Sequence, residues 1–445
     1  MGRDGTGRDG LLTMQSPYNC YNFCPPEHPT TYARHTMENA TAQPVVHAPI
    51  APVLRRGSLR LWSRPAAPSG ERLTTLLEAR DAVLTTSARA AIALALEQLG
   101  VGAGDEVLLP AYHCTAMRAP VESMGAKPVF YKLDERLEID LNDLKAQVTA
   151  RTRAVMTVHF FGFPQDLRVV RSLCDVAGLA LIEDCAHAYY GPRTGAQIGR
   201  MGDFTVGSLM KFFPVFDGGC LVSFRRALTR QPLTSRGLLS QAKAAVNMIE
   251  IAAEWSTSRA LKGLAALIGR ATQAAKGARP ELARDLAESA PGAASGSLDF
   301  QPEWVHARMS LPSRLVLRFA NHERSIERRR AYYAQYAQGL AGIPGGQPLR
   351  TDLPEGVVPY VFPFVLSAPA ASFPALRAAG VPVYRWEDVA EEACATARHY
   401  RPRLVQFPVH PSLKNEEVVQ LIRTITQVLA TSARAESSSI VEDLA

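Results

Sequence analysis

The sequence contains no uninterrupted apolar run of membrane-spanning length. A helix needs about 20 consecutive apolar residues to cross a bilayer, so we expect no integral membrane segment. The N-terminus also lacks the apolar stretch that follows the basic residues of a secretory signal. Together these absences predict a cytoplasmic protein.

Cysteine is scarce, with seven residues in a chain of 445. An odd number in so long a chain does not suit a disulfide framework, and free cytosolic thiols are the simpler interpretation. Cys20 and Cys24 lie in a polar, Pro-rich stretch with no second cysteine pair nearby. We therefore expect no metal site there and assign no metal to the protein.

Basic residues are not clustered. Charged residues make up 20% of the chain and the formal net charge is +7, yet Lys and Arg are spread along its length. A positive balance suits anionic ligands, but without clustering it mostly reflects a solvated surface. We expect small-molecule partners and no nucleic acid.

The pattern of apolar residues divides the N-terminal half of the chain in two. Residues 1–52 are rich in Pro, Thr, Asn and His and show no periodicity, so we predict a mobile extension. Residues 53–225 are predicted to form a large domain, because short apolar runs there alternate with helical stretches, as in the βαβ units of an α/β sheet. Strands are predicted at 82–86, 105–111, 127–133, 153–161, 179–184, 204–209 and 219–224, and helices at 87–100 and 166–178.

Two further regions follow the large domain. Residues 226–300 are Ala-rich, basic and helical in pattern, and they end in the flexible linker ESAPGAASGS. A membrane-surface or partner-binding helix pair is one interpretation, but we favour a helical insertion packed on the main domain because true interfacial helices are rare. Residues 301–445 combine one long charged helix (313–340), short strands and a final helix (415–430). This predicts a smaller C-terminal α+β domain with a tail.

Two predicted strands end close to residues that suit a cofactor. Asp184 closes the strand LALIED, and Lys211 follows the strand FTVGSL. Ligands of open α/β sheets gather at the carboxyl ends of strands. An Asp there can pair with the cationic ring nitrogen of pyridoxal phosphate (PLP), and a partly desolvated Lys is nucleophilic. The structural alternatives are a turn cap for Asp184 and a solvated surface position for Lys211.

A phosphate site is indicated where the first predicted helix begins. Ser87, Ala88 and Arg89 open that helix, and the exposed N–H groups of a helix N-terminus favour a phosphate, although Ser87 is equally an ordinary N-cap. Ser208, three residues before Lys211, can turn its hydroxyl to a phosphate.

A loop with two rings follows the strand that ends at Pro110. Either Tyr112 or His113 can stack on a pyridine ring, and core packing is the alternative for Tyr112. The chain thus supplies, in order, a phosphate turn, a stacking loop, an Asp and a Lys, all of which one PLP molecule would use.

The sequence around these residues resembles the DegT/StrS family of PLP-dependent aminotransferases, known mainly for aminating keto groups of nucleotide-linked sugars. The similarity covers about residues 80–225 and 304–430. Its motifs are GDEVLLP (104–110), GAKPVF (125–130), VHFFGFP (158–164), EDCAHA (183–188), Lys211 followed by Asp217-Gly218-Gly219, and HARMS (306–310).

The resemblance implies a PLP-transferase type I fold, with a mostly parallel sheet wrapped by helices and an active site at a homodimer interface. It implies that Lys211 carries PLP as a Schiff base and then moves the proton, and that Asp184 pairs with the ring nitrogen. His187 stands in place of a glutamine near the ring hydroxyl.

The resemblance also implies the phosphate contacts. Ser208 and the turn 87–89 would hold the phosphate, although Ala88 and Arg89 replace the family's Gly-Thr. His306 stands where an asparagine from the other protomer often reaches that phosphate. The family's stacking aromatic falls near Cys114, so the stacking residue stays open.

The function expected from the resemblance is transfer of an amino group from a donor such as glutamate to a keto substrate, expected to be a nucleotide-linked keto-sugar. One alternative is another PLP reaction, such as dehydration or C–C bond chemistry; the family's dehydratases replace the lysine with histidine, whereas Lys211 is present. The second alternative is a non-catalytic regulator with the same fold. Such a protein would be expected to have lost Lys211 or Asp184, and both are present. Arg385, Trp386 and His410 are candidates for either substrate contact or structural roles.

Overall fold

A computed structural model describes residues 48–60, 73–192, 198–229, 232–278, 300–386 and 389–443. Most of the predicted mobile extension and the whole ESAPGAASGS linker lie outside these ranges. The last residues of the extension are not free, because Ala48 and Ala51 are buried and the Pro49 carbonyl accepts a hydrogen bond from His410 Nε2 at 2.9 Å. The prediction of mobility is therefore wrong for residues 48–52.

The large domain is built on a seven-stranded sheet in the order β2-β9-β8-β6-β5-β3-β4. All its strands run parallel except β9, and β1 and β7 form a separate antiparallel ribbon. The first nine strands are β1 (Thr74–Thr75), β2 (Asp81–Thr85), β3 (Glu106–Pro110), β4 (Lys127–Tyr131), β5 (Thr152–Val158), β6 (Ala180–Asp184), β7 (Tyr190–Gly191), β8 (Phe204–Ser208) and β9 (Gly219–Ser223).

This sheet confirms the predicted α/β class and all seven predicted strands. Strands β3, β6 and β9 are buried at every residue, as expected for strands covered on both faces. The covering elements include α1 (Ala88–Gln98), α2 (Thr115–Ser123), α3 (Leu141–Ala146) and α4 (Arg168–Ala177).

Helix α1 is buried at seven consecutive residues, Ala90 to Leu96. Its many alanines allow close packing on several sides at once, and it contacts β8, β9 and α2. Helix α1 is followed by Gly100, which takes the left-handed conformation (φ 67°) that favours glycine after a helix. The Ala/Leu-rich pattern of the sequence is therefore the signature of a central helix.

The insertion contains α5 (Leu238–Glu254) and α6 (Arg259–Ala278). Helix α5 buries Ala244 and Met248, and its Gln241 Oε1 accepts a hydrogen bond from the Leu311 backbone N–H at 2.7 Å. Helix α6 leaves Leu264 and Leu267 exposed. The packed arrangement that we favoured thus holds for α5, whereas α6 lies further from the core.

The C-terminal domain has a four-stranded antiparallel sheet in the order β10-β11-β13-β12, which agrees with the predicted α+β domain. No described helix anywhere in the chain is long and apolar enough to cross a membrane. The elements of this domain are α7 (Leu311–Arg318), α8 (His322–Gly339), β10 (Gly346–Pro348), β11 (Val361–Leu366), α9 (Pro369–Ala378), β12 (Tyr384–Arg385), α10 (Ala395–Arg403), β13 (Leu404–Pro408) and α11 (Asn415–Asp443).

The single helix predicted at 313–340 is wrong, because the chain breaks between α7 and α8. The Asn321 backbone N–H donates to the Ser58 carbonyl at 2.9 Å instead of continuing α7. The Asn321 side chain then caps α8 by accepting from the Arg324 N–H at 3.1 Å. A contact with a distant segment decides this break, and the helical pattern around it does not show it.

The glycine pair before β9 packs against the start of α1. The Gly218 N–H donates to the Thr86 carbonyl at 2.8 Å, and Gly218 has a left-handed φ of 150°. A Cβ built on Gly219 would overlap the Ser87 carbonyl and the Ala88 nitrogen. Only glycine allows this approach, so Gly219 sets the position of the turn at Ser87 and Ala88.

Gly219→Ala tests this close approach. The added methyl would push β9 away from the start of α1, and overpacking of this kind lowers the free energy of unfolding by about 1–3 kcal/mol. Gly102→Ala is the matched control, because nothing lies within 4 Å of its added Cβ. In urea denaturation, Gly219→Ala should have a lower midpoint than wild type, and Gly102→Ala should have an unchanged one. Equal midpoints for the two variants would contradict the close packing of Gly219 on Ser87.

Candidate active site

The carboxyl edge of the large sheet brings together residues that are far apart in sequence. Asp184 ends β6 and Ser208 ends β8, which is the next strand in the sheet. Ser208 pairs with Gly219 of β9, and Gly219 pairs with Thr85 at the end of β2. Ser87 follows Thr85 by two residues. The predicted phosphate turn and Ser208 therefore lie on the same edge as Asp184.

Ser87 is the N-cap of α1, because its Oγ accepts a hydrogen bond from the Ala90 N–H at 3.2 Å. The Thr85 hydroxyl donates to the Ser87 carbonyl at 2.8 Å and steadies the turn. The N-cap interpretation is thus confirmed, and it does not exclude a phosphate, since the N–H groups of a first helical turn have no partners within the helix. Ala88 and Arg89 supply the first two of those groups.

Lys211 lies close enough to Asp184 and His187 to act electrostatically on both. Lys211 ends a short 3₁₀ turn directly after β8 and is partly buried. Burial raises the pKa of Asp184, and the positive charge of Lys211 is the largest influence that opposes this rise. Burial and then the charge of Lys211 hold the pKa of His187 well below its usual range. His187 is therefore neutral near pH 7.

The orientation of the His187 ring follows from one backbone donor. The Phe161 N–H donates to His187 Nδ1 at 3.2 Å, so the ring hydrogen of neutral His187 is on Nε2. Phe161 reaches this position with a left-handed φ of 59°, which is rare for a bulky residue and marks a constrained segment. A Cβ on the next residue, Gly162, would overlap main chain near Val358 and Pro359.

The C-terminal domain contributes an aromatic wall formed by Tyr360 and Trp386. Lys211 Nζ lies 5.3 Å from the centroid of the Tyr360 ring, and His187 stacks on the same ring at 4.6 Å. The Trp386 ring lies 5.5 Å from His187 and 4.9 Å from Tyr112. Tyr360 was not predicted, because no motif marks it, whereas Trp386 was a candidate for either substrate contact or a structural role.

The candidates for ring stacking separate in the structure. Tyr112 is fully buried and its ring belongs with the aromatic wall. His113 stacks on Phe130 of β4 at 4.8 Å, and its Nδ1 hydrogen bonds to the Ala111 carbonyl at 3.1 Å, so its ring lies against β4 instead. Cys114 is a partly exposed residue at the start of α2. The Tyr112 ring thus has the core packing that was the alternative to a stacking role.

His306 pairs with a residue near the C-terminal end of α1. Its side chain is half-exposed and lies 3.3 Å from Glu97. The backbone around it runs beside the predicted phosphate turn, because the Trp304 carbonyl accepts from the Thr86 hydroxyl at 3.3 Å and Arg308 bridges Thr85. The His306 ring is thus turned toward Glu97, and its predicted role across a dimer interface stays a prediction.

A buried hydrogen-bond network lies beneath the site. Glu183 accepts from the N–H groups of Gly199 and Gly202 and from His159 Nε2, the last at 2.9 Å. His159 Nδ1 accepts from the Gln165 N–H at 3.0 Å. Both ring nitrogens are therefore used in hydrogen bonds, although His159 and Glu183 lie close enough to Cys185 for their ligand atoms to share a metal ion. The network fixes the backbone next to Asp184.

Arg329 of α8 is a second residue that sequence analysis missed. It is fully buried, and its guanidinium donates to the Lys211 carbonyl and to the Tyr360 carbonyl, both at 2.8 Å. It also lies over the Phe212 ring, 4.5 Å from the centroid. One side chain thus ties the lysine turn of the large domain to the aromatic wall of the C-terminal domain.

Known proteins share both the sequence pattern and the architecture. Residues 57–271 match the model of the DegT/DnrJ/EryC1/StrS aminotransferase family. GDP-perosamine synthase of Vibrio cholerae is 35% identical over 150 residues, which are 33% of this chain and 41% of that protein. The dTDP-4-dehydro-2,3,6-trideoxy-D-glucose 4-aminotransferase of Saccharopolyspora spinosa is 28% identical over 373 residues, 77% of this chain and 83% of that protein. The matches to the first curated relatives span only 36% to 41% of their length.

Two solved structures show how far the fold is shared. S. venezuelae DesV has a TM-score of 0.53 at 23% identity, over 78% of this chain and 84% of that chain. Spr1654 of Streptococcus pneumoniae in its PLP form has a TM-score of 0.55 at 18% identity, over 80% of this chain and 88% of that chain. The fold is that of type I PLP-dependent aminotransferases, as predicted. The match to the DegT/DnrJ/EryC1/StrS aminotransferase family covers residues 57–271, a little under half of the chain.

Arg329→Met tests the bond between the two domains. The change removes hydrogen bonds from a buried cation to three main-chain carbonyls, and such a bond contributes about 1.5–3 kcal/mol when the donor is charged. We expect the free energy of unfolding to fall by at least about 3 kcal/mol in urea denaturation. The exposed Arg318 provides the control as Arg318→Met, which should change stability by less than about 0.5 kcal/mol. A similar small change for both variants would contradict the proposed tie.

Proposed function

We propose that the protein is a PLP-dependent aminotransferase that moves an amino group from a donor such as glutamate to a keto group on a nucleotide-linked sugar. The observation that carries the proposal is the buried Asp184 carboxylate beside Lys211, on the sheet edge that also holds the start of α1. The family match and the relatives that act on nucleotide-linked sugars by name support it.

The residues at this edge fit the separate parts of PLP. The first turn of α1 and the hydroxyl of Ser208 would receive the phosphate. The Asp184 carboxylate would face the ring nitrogen, and the amine of Lys211 would bond the aldehyde carbon. The site thus offers a nucleophile after β8, a carboxylate at the end of β6 and an anion-binding turn after β2, which is the donor set that PLP requires.

Bound PLP would supply an electron sink that stabilises negative charge on the carbon next to the amino nitrogen. Lys211 would hold the cofactor, and its amine is the group on this chain that would move a proton at that carbon. The Tyr360 ring, with its centroid 5.3 Å from this amine, limits the positions that the amine can take on one side.

Asp184 and His187 would set the charge around the ring. An ionised Asp184 keeps a proton on the ring nitrogen; burial disfavours ionisation, whereas the charge of Lys211 and the N–H of Ala186, which donates to Oδ1 at 2.8 Å, favour it. His187 is neutral and carries its hydrogen on Nε2, so it can donate to an oxygen without adding a positive charge.

We further propose a cytoplasmic homodimer with a shared active site. The support is the family resemblance together with His306, which is half-exposed and pairs with Glu97 in its own chain. In a dimer, the His306 side chain would reach the phosphate turn of the other protomer.

Lys211→Ala tests the cofactor assignment. The wild-type protein, supplied with PLP, should show a visible absorbance band, and borohydride should fix PLP on Lys211, as located by peptide mass spectrometry. The variant should lose both signals because the bonding amine is gone. Lys145→Ala, at an exposed position of α3, should keep both. A wild-type protein with neither the band nor the adduct would rule out the proposal.

Asp184→Asn tests the role of the carboxylate. The variant should still bond PLP through Lys211 but should react with glutamate about 10²–10³-fold more slowly, because a fixed charge that stabilises the reacting ring is removed. Single-turnover absorbance measurements would give this rate. Asp166→Asn, at an exposed position, is the control, and an unchanged rate in Asp184→Asn would refute the assigned role.

The acceptor is tested by nitrogen transfer. Glutamate labelled with ¹⁵N is supplied with a panel of keto-sugar nucleotides, and the label should appear in an aminated sugar product. If the ¹⁵N label appears in amino acids formed from simple keto acids but in no sugar nucleotide, the proposed acceptor class is wrong. The aminotransferase activity itself would still be supported.

A further inference from the structure

A cavity of about 920 Å³ lies between the helical insertion and the C-terminal domain. Its size falls in the range of small-molecule sites, about 300–1,000 Å³. Four segments form its wall: residues 54–58, the end of α5 with the link to α6, the exposed side of α8, and the loop 411–414 with the start of α11. None of the residues assigned to the Lys211 site lines it.

The cavity wall is strongly cationic. One carboxylate, Glu416, lines it together with five basic side chains: Arg55, Arg56, Arg324, Arg328 and Lys414. Glu417 lies next to this wall and pairs with Arg55 at 3.4 Å and with Lys414 at 3.8 Å. The wall therefore keeps an excess of positive charge after its ion pairs are counted.

Arg324 and Arg328 show this excess most clearly. They lie one turn apart on α8, where two like charges repel and destabilise a helix. Among the residues that the structure describes, Arg324 makes no ion pair and is only partly exposed. Burial and then the charge of Arg328 lower the pKa of Arg324. An anion between the two guanidinium groups would remove the repulsion.

Apolar side chains also line the cavity. The insertion supplies Ile249, Ala252, Trp255 and Leu261, and the N-terminal segment supplies Leu54. An indole ring offers a flat face to a planar or apolar group. A ligand that fills this cavity should therefore combine an anionic group with such a group.

Helix α8 separates the cavity from the Lys211 site. Arg329 points to the Lys211 carbonyl, whereas Arg324 and Arg328 line the cavity. We propose that the cavity is a second binding site, which takes a phosphorylated small molecule. Arg324, Arg328, Arg56 and Lys414 hold its phosphate, and its planar or apolar part lies against Trp255. Arginine suits this role because its planar guanidinium binds phosphate oxygens in pairs.

The experiment measures binding by calorimetry to the full chain, loaded with PLP and freed of excess. The probes are inorganic pyrophosphate, UDP and a short-chain phosphatidic acid. UDP should bind saturably, and Arg324→Gln should weaken its binding at least tenfold. Trp255→Leu should weaken UDP but not pyrophosphate, whereas Arg423→Gln, at an exposed position of α11, should match wild type. If phosphatidic acid binds instead of UDP, and Arg324→Gln weakens that binding too, the site binds phosphate as proposed and the phosphate belongs to a lipid.

Two further variants separate loss of the phosphate site from misfolding and from effects at the Lys211 site. Arg56 is exposed, so Arg56→Gln should fold normally and still weaken binding. Lys211→Ala should bind the probes as wild type does, because the cavity does not depend on the cofactor site or on its proposed activity. The proposal is overturned if no probe binds saturably, if binding is the same in Arg324→Gln and Arg56→Gln as in wild type, or if binding is lost in Lys211→Ala.

Discussion

The arrangement of the candidate active site depends on one buried cation, Arg329. Its guanidinium binds the carbonyl of Lys211 on one side and the carbonyl of Tyr360 on the other. The first belongs to the lysine turn after β8 and the second to the chain entering β11, so a single planar group sets the spacing of two domains. Because a buried guanidinium is stable only when its donors are satisfied, neither segment can shift without a large loss of stability. The Tyr360 ring consequently stays beside the Lys211 amine.

The large sheet provides the second constraint. Only one of its strands, β9, runs against the others, and that strand starts with the glycine that touches Ser87. The parallel strands on either side then deliver Asp184, Ser208 and the start of α1 to one edge. This is the general behaviour of open α/β sheets, whose ligand groups gather where parallel strands end. Burial at this edge also accounts for the electrostatics, since it disfavours charge on Asp184 and His187 while Lys211 acts on both.

Helix α8 has two functional faces because consecutive residues of a helix point in different directions. Arg329 faces the lysine turn, whereas Arg324 and Arg328 face the cavity beside the insertion. The same helix begins where Asn321 caps it and where the N-terminal segment binds the chain between α7 and α8. The insertion, the N-terminal segment and the C-terminal domain thus meet at one helix, which explains why the charge of this region is not visible as a cluster in the sequence.

The sequence alone determined the strands and the class of fold, and it located Asp184, Lys211 and the Ser87 turn beside the ends of strands. Buried strands and an Ala-rich central helix have local patterns, and reactive residues at strand ends follow from the βαβ order. Only the tertiary structure decided the helix break at Asn321, the packing of residues 48–52, the turning of His113 toward β4, and the parts played by Arg329 and Tyr360. These depend on contacts between segments more than a hundred residues apart in several cases, for example Arg329 with Lys211. No periodicity in a single stretch of chain records such contacts, because periodicity reports only which face of an element is buried and not what covers it.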